Sequence, residues 1–149
     1  MKLSELSYSE SGLKAKKVIL DTNVIYSALY KPQGVCGRIL LNSAKFLSQL
    51  FSIDFAKEEL RINMERKMRL PEKSIELILE ALPLEWISRD TYSPYLRRAT
   101  EIVKYQADSP FVAASIATNF PLITEDKHLR TAKVRRAITV YEPREFVDE

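Results

Sequence analysis

Residues 18–29, "VILDTNVIYSAL", run from an apolar triplet through Asp21-Thr22-Asn23 and back into apolar residues at helical spacing. An unbroken apolar run suits a strand covered on both faces, and the apolar positions after Asn23 suit a helix that returns across it. Asp21 therefore stands where a buried strand hands over to a helix, at the strand's carboxyl end.

The rest of the chain repeats this alternation. Short apolar, β-rich runs occur at 17–20, 50–53, 84–87, 121–123 and 137–141, separated by stretches of helical spacing. One or two helices are expected over 24–47, broken at Lys31-Pro32-Gln33-Gly34 because Pro and Gly are poor helix formers. Others are expected over 56–68, 71–82, 94–105 and 110–119, with Pro71, Pro94 and Pro110 near their starts. Five strands alternating with helices predict a parallel sheet with helices on both faces, since parallel strands need crossovers and both faces need cover.

The 149 residues suffice for one domain with a sizeable core; 46% are hydrophobic and 29% charged, the balance of a folded globular protein. Residues 1–15 are polar and weakly periodic and read as a flexible arm ahead of a domain over 16–149. The net charge of +3 permits an anionic partner without requiring one. Cys36 is the only cysteine and His128 the only histidine, so an internal disulfide and a thiolate or imidazole zinc site are excluded. No run has signal-peptide or membrane-span character, and a cytoplasmic location is expected.

In an open parallel sheet, ligands bind beyond the carboxyl ends of the strands near the point where strand order reverses. Asp21 is at such an end, and Asp126 follows the fourth run in "PLITEDKHL" just after Thr124. Asp108 opens "DSPFVAASIA", and Glu59 falls on the helix after the second run. Taken singly, Asp108 and Asp126 also suit helix caps, and Glu58 or Glu59 suits a solvated helix face. Taken together, four carboxylates at one edge repel one another unless a cation neutralises them. Oxygen ligands favour Mg2+ or Mn2+, which can activate water against a phosphodiester.

Four motifs in this order, "VILDTNVIYSAL", "AKEELR", "ADSPFVAASIA" and "LITEDKHL", resemble the PIN-domain family of metal-dependent ribonucleases, which includes the VapC-type toxins of toxin–antitoxin pairs. The likeness covers about residues 16–147, with the acids 38, 49 and 18 residues apart. It implies a three-layer α/β/α sandwich around a parallel five-stranded sheet, an acidic pocket for Mg2+ or Mn2+, and RNA as substrate. It also implies an antitoxin partner and a homodimer. Carried over by motif, Asp21, Glu59, Asp108 and Asp126 match the catalytic, metal-binding acids, with Thr124 supporting the pocket and Asn23 orienting Asp21 and its turn. Glu59 is preferred to Glu58 because an apolar residue, Leu60, follows it, as in the family. Glu125 stands where the family often has a small residue.

Lys127, Arg130, Lys133, Arg135 and Arg136 cluster after Asp126, either to hold an RNA backbone or as an ordinary solvated surface. Lys14, Lys16 and Lys17 form a weaker cluster. His128 reads as a surface or capping residue, Trp86 as core, Cys36 as a small buried residue, and "GVCG" as a chance likeness to a Gly-x-x-Gly RNA-binding loop. The expectation is a metal-dependent endoribonuclease. A housekeeping RNA-processing nuclease and a noncatalytic RNA-binding scaffold on the same fold are the rival readings.

Overall fold

Val18 and Leu20 pack with one hydrophobic cluster and Ile19 with another, so the side-chain alternation of the first strand defines the two faces of a sheet buried on both sides. The computed structural model describes residues 16–41 and 48–147. The expected arm at 1–15, Lys14, and the 42–47 end of the first helical region lie outside these residues.

The strands are β1 (Lys16–Leu20), β2 (Ser48–Ile53), β3 (Glu85–Ile87), β4 (Leu122–Ile123) and β5 (Val140–Tyr141). They form one sheet in the order β3-β2-β1-β4-β5 with every pairing parallel. The chain steps from β1 through β2 to β3, then returns to the other side of β1 for β4. The switch point is thus between β1 and β4, in register at Leu20 and Ile123.

Helices cover both faces. On one lie α1 (Thr22–Tyr30), α2 (Val35–Leu41), α3 (Asp54–Arg66), α4 (Glu72–Ala81) and the C-terminal α9 (Pro143–Val147), burying Val24, Ile39, Leu60, Leu79 and Phe146. On the other lie α5 (Arg89–Tyr92), α6 (Leu96–Ile102), α7 (Ser109–Thr118) and α8 (Ala132–Arg135), burying Tyr92, Ala99, Phe111 and Val134. This is the expected three-layer α/β/α sandwich. Each fully buried Val, Ile, Leu or Phe among these contributes about 1.5–3 kcal/mol to holding the layers together. No described helix is long and apolar enough to cross a membrane.

The break between α1 and α2 falls at residues 31–34, as expected. Gly37, in the first turn of α2, is required by close approach: a Cβ there would meet the Pro32 carbonyl oxygen at 1.9 Å. Two expectations are corrected. The single helix expected over 94–105 is instead a 3-10 turn over Ser93–Tyr95 followed by α6, which stops at Ile102, and the short α5 precedes them unforeseen. Pro94 has no N–H for the α-turn to the residue 90 carbonyl, so the spacing of apolar residues there does not make one helix. The fifth strand is also shorter than 137–141, because the Ala137 and Ile138 N–H groups bond to the Val134 carbonyl at 2.9 and 3.0 Å and prolong the α8 turn.

Candidate functional site

Asp21 follows β1 in extended conformation and does not cap α1 with its side chain. The Asp21 N–H donates to the Ile123 carbonyl at 3.0 Å, which ties it to β4. Its Oδ2 accepts from the Thr124 hydroxyl at 2.7 Å, and the same hydroxyl accepts from the Asp126 N–H at 3.0 Å. Thr124 is fully buried at the end of β4. One hydroxyl therefore sets the relation between the two acids at the switch point.

Glu59 reaches this edge from α3, its Oε1 accepting from the Thr22 hydroxyl at 2.6 Å. Thr22 is the residue after Asp21, so one strand-to-helix turn carries one acid and positions another. Its proximity to Asp21 in the sequence was the available signal, but nothing there indicated that its hydroxyl would meet Glu59. Glu58 faces away: its side chain is 66% exposed and pairs with Arg61, which also pairs with Glu76. Asp108 ends a 3-10 turn over Gln106–Asp108 and precedes α7, but its carboxylate makes no capping bond. Asp126 does cap, with Oδ1 accepting from the His128 N–H at 2.8 Å.

The charges of these acids act on one another. Burial pushes the Asp21 carboxyl up to about 6, with Asp108 and Glu59 adding to the rise and the Thr124 hydrogen bond opposing it. Asp108 is likewise raised to about 6, by burial and then by Asp126 and Glu59, with His128 opposing. Glu59 is raised by burial, against the Thr22 hydrogen bond. Asp21, Glu59 and Asp108 thus lie in electrostatic range of one another and Asp126 in range of Asp108, and none of the four is ion-paired to a described lysine or arginine. They do not form a closed coordination shell: among the described residues no three His, Cys, Asp or Glu side chains stand ready to hold a metal ion. The donor chemistry still fits a hard divalent cation, since all four offer oxygen and none is ion-paired to a described lysine or arginine.

Asp54 shows the contrast. It follows β2 much as Asp21 follows β1, but its carboxylate accepts from the Phe55 N–H, the Arg89 N–H and the Tyr92 hydroxyl at 2.7, 2.8 and 2.5 Å. Those bonds lock α5 onto the start of α3, leaving a structural acid.

Asn23 is exposed, and its side chain makes no hydrogen bond to Asp21; Thr124 orients that carboxylate instead. Of the cationic cluster, Lys127, Lys133, Arg135 and Arg136 are exposed. Arg130 ion-pairs with Glu142, and Arg135 donates to the Arg130 and Val140 carbonyls at 3.2 Å, so these two are engaged within the fold. His128 lies edge-on to Tyr105 with ring centroids 5.0 Å apart. Trp86 is half-buried between the two clusters, with Lys57 Nζ 5.6 Å from its ring centroid. Cys36 is buried, and Glu125 beside it adds to the burial that pushes its thiol up to about 12.

The PIN domain matches residues 19–141. No curated protein matches the chain. Among solved structures, a chain of VapBC2 from Rickettsia felis, bound to a DNA fragment from their promoter, is similar with TM-score 0.64 and 19% identity over 85% of this chain and 98% of that one. FitAcB from Neisseria gonorrhoeae gives 0.61 and 19% over 85% and 97%. DNA-bound VapBC from Salmonella typhimurium gives 0.60 and 19% over 86% and 98%. At this identity the three similarities establish the shared fold.

Proposed function

The chain belongs to the PIN-domain family, a family of nucleases, and from that membership we propose that it is a metal-dependent endoribonuclease and the toxin of a toxin–antitoxin pair. The observation that carries the reading is the convergence of Asp21, Glu59, Asp108 and Asp126 at the switch point without a described lysine or arginine partner, with Asp21 and Asp108 both raised to about 6.

Asp21, Glu59, Asp108 and Asp126 would hold one or two Mg2+ or Mn2+ ions, whose chemistry is to polarise the phosphodiester and make water a better nucleophile. Thr124 holds Asp21 at a fixed angle to the Asp126 backbone, and Thr22 holds Glu59. Asp108 has no hydrogen bond from a described side chain, which leaves its carboxylate free to turn toward an ion or an attacking water. Lys127, Lys133 and Arg136 supply exposed positive charge for the RNA backbone.

Similarity to chains of VapBC assemblies supports an antitoxin partner. A homodimer, to be checked by sizing at several concentrations, completes the proposal. The direct test is cleavage of total RNA with Mn2+ by the wild-type protein and by Asp21→Asn, with fragment ends mapped. Cleavage abolished by the substitution in a folded protein supports the reading, and full activity in the variant overturns it.

A further inference from the structure

Two adjoining grooves open on the α1–α2 side of the sheet, both lined by Glu125, the neighbour of Asp126. The larger, about 450 Å³, is lined by Tyr26, Ser27 and Tyr30 of α1, by Lys31 at its end, and by Glu125. The smaller, about 230 Å³, continues past Cys36 to Arg144 of α9 and shares Glu125 with the first. Glu125 lies between Thr124 and Asp126, so the grooves and the acids meet in one loop.

Glu125 is held in place. Its Oε1 accepts from the Ser27 hydroxyl at 3.0 Å and the Cys36 thiol at 3.6 Å, while Oε2 has no hydrogen bond from any described residue. Facing the same groove, Tyr26 and Tyr30 stack one helical turn apart, with centroids 6.2 Å apart and 10° between planes. Lys67 covers Tyr26, its Nζ 5.3 Å from the ring centroid, whereas Tyr30 is 63% exposed. A supported aromatic face beside a fixed acceptor is the combination by which proteins take up an unpaired base.

Building on the ribonuclease reading, we infer that this groove seats one unpaired RNA base beside the scissile phosphodiester and selects cytosine or adenine over uracil. The base stacks on the open face of Tyr30. Its exocyclic amino group donates to Glu125 Oε2, as carboxylates accept from cytosine N4. Uracil would point a carbonyl oxygen at the carboxylate. Guanine presents two adjacent donors that call for both carboxylate oxygens, and Oε1 already accepts two bonds. Lys31 and Arg144 stand along the grooves where adjoining phosphates would run, and Glu142, which also lines the smaller groove, is ion-paired with Arg130. An apolar peptide segment fits less well, since it would bury the Glu125 charge against nothing that can bond it.

Fluorescence anisotropy tests this, using labelled oligouridine and the same strand carrying one cytidine or one adenosine, on the Asp21→Asn protein to prevent cleavage. The expected result is roughly tenfold tighter binding of the cytidine and adenosine strands, erased by adding Glu125→Gln, with Tyr30→Ala weakening all three. Equal binding of the three strands, or a preference that survives Glu125→Gln, overturns the base site. In parallel, cleavage of a random single-stranded pool by the wild-type protein should show a cytosine or adenine preference at one position, flattened by Glu125→Gln. If the wild-type protein cleaves no RNA, the ribonuclease reading fails, and the binding comparison alone decides the base site. If both groove variants keep wild-type RNA binding but lose a protein partner, the groove belongs to protein and the inference is overturned.

Discussion

Thr124 Oγ1 donates to Asp21 Oδ2 at 2.7 Å, joining two residues 103 positions apart at the point where the sheet reverses direction. The same oxygen accepts from the Asp126 N–H at 3.0 Å, so the hydroxyl is both donor and acceptor in a fully buried position. Asp126 and Asp21 thereby keep a fixed relation without touching.

Thr124→Val keeps the shape and removes both bonds. It leaves the Asp126 N–H and the Asp21 carboxylate short of a partner, at a cost of about 1–3 kcal/mol. Urea denaturation should show that loss, and RNA cleavage should fall roughly 10–100-fold, as for other groups that orient metal ligands. Thr124→Ser should restore most of both. Normal cleavage by the valine variant would show that Asp21 needs no orienting hydroxyl.

Asp21 predicts an unusual pH dependence of stability. A carboxyl whose folded pKa lies above its unfolded value binds its proton more tightly in the folded state, so it stabilises the fold at low pH and loses that contribution as pH rises. For Asp21 the loss runs from 3.8 to about 6. At about 1.4 kcal/mol per unit it amounts to about 3 kcal/mol. In chelator, Asp21→Asn should therefore be more stable than wild type at pH 7, and the difference should shrink below pH 5. Mn2+ should reverse the order at pH 7 by stabilising only the protein with an intact site. Parallel denaturation curves at pH 4 and 7 check this, and a difference independent of both pH and Mn2+ would refute it.

Glu58 and Glu59 separate by their partners. Thr22 holds Glu59, while Glu58 pairs with Arg61 on an exposed surface. Glu59→Gln should remove cleavage and weaken Mn2+ binding measured by calorimetry, and Thr22→Val should lower that affinity roughly tenfold. Glu58→Gln should alter stability by less than about 1 kcal/mol and leave cleavage near wild type. The reverse ranking of the two glutamates would move the proposed ligand to Glu58.

The elements that sequence reading located share a local cause. Apolar runs identify β1 and β2 because both faces are buried, and an acid directly after such a run has to emerge at the carboxyl edge. That logic found Asp21 and Asp126, yet it does not separate Asp21 from Asp54, because only tertiary contacts with Arg89 and Tyr92 make the second acid structural. Residues 137–139 read as strand by composition, but the Val134 carbonyl captures two of their N–H groups. The Glu125–Ser27–Cys36 contact spans 98 and 89 residues and left no trace in spacing. Equally, nothing in "KHLRTAKVRR" distinguished Arg130 and Arg135, which bond within the fold, from Lys127, Lys133 and Arg136 beside them.

That distinction gives the last prediction. Arg130 is half-buried and ion-pairs with Glu142 beyond β5, and its Nε is buried without a partner. Arg130→Ala should cost about 1–2 kcal/mol of stability, since it leaves Glu142 unpaired and removes the packed stem of the side chain. Replacing exposed Lys127, Lys133 and Arg136 with alanine should leave stability within about 0.5 kcal/mol of wild type. If these three contact the RNA backbone, each lost phosphate contact should reduce the slope of log affinity against log salt by about 0.7 for a single strand. Binding of one oligoribonucleotide at several salt concentrations measures that slope. An unchanged slope in the triple variant would place the RNA path elsewhere, whereas a flattened slope with normal folding would place it across α8.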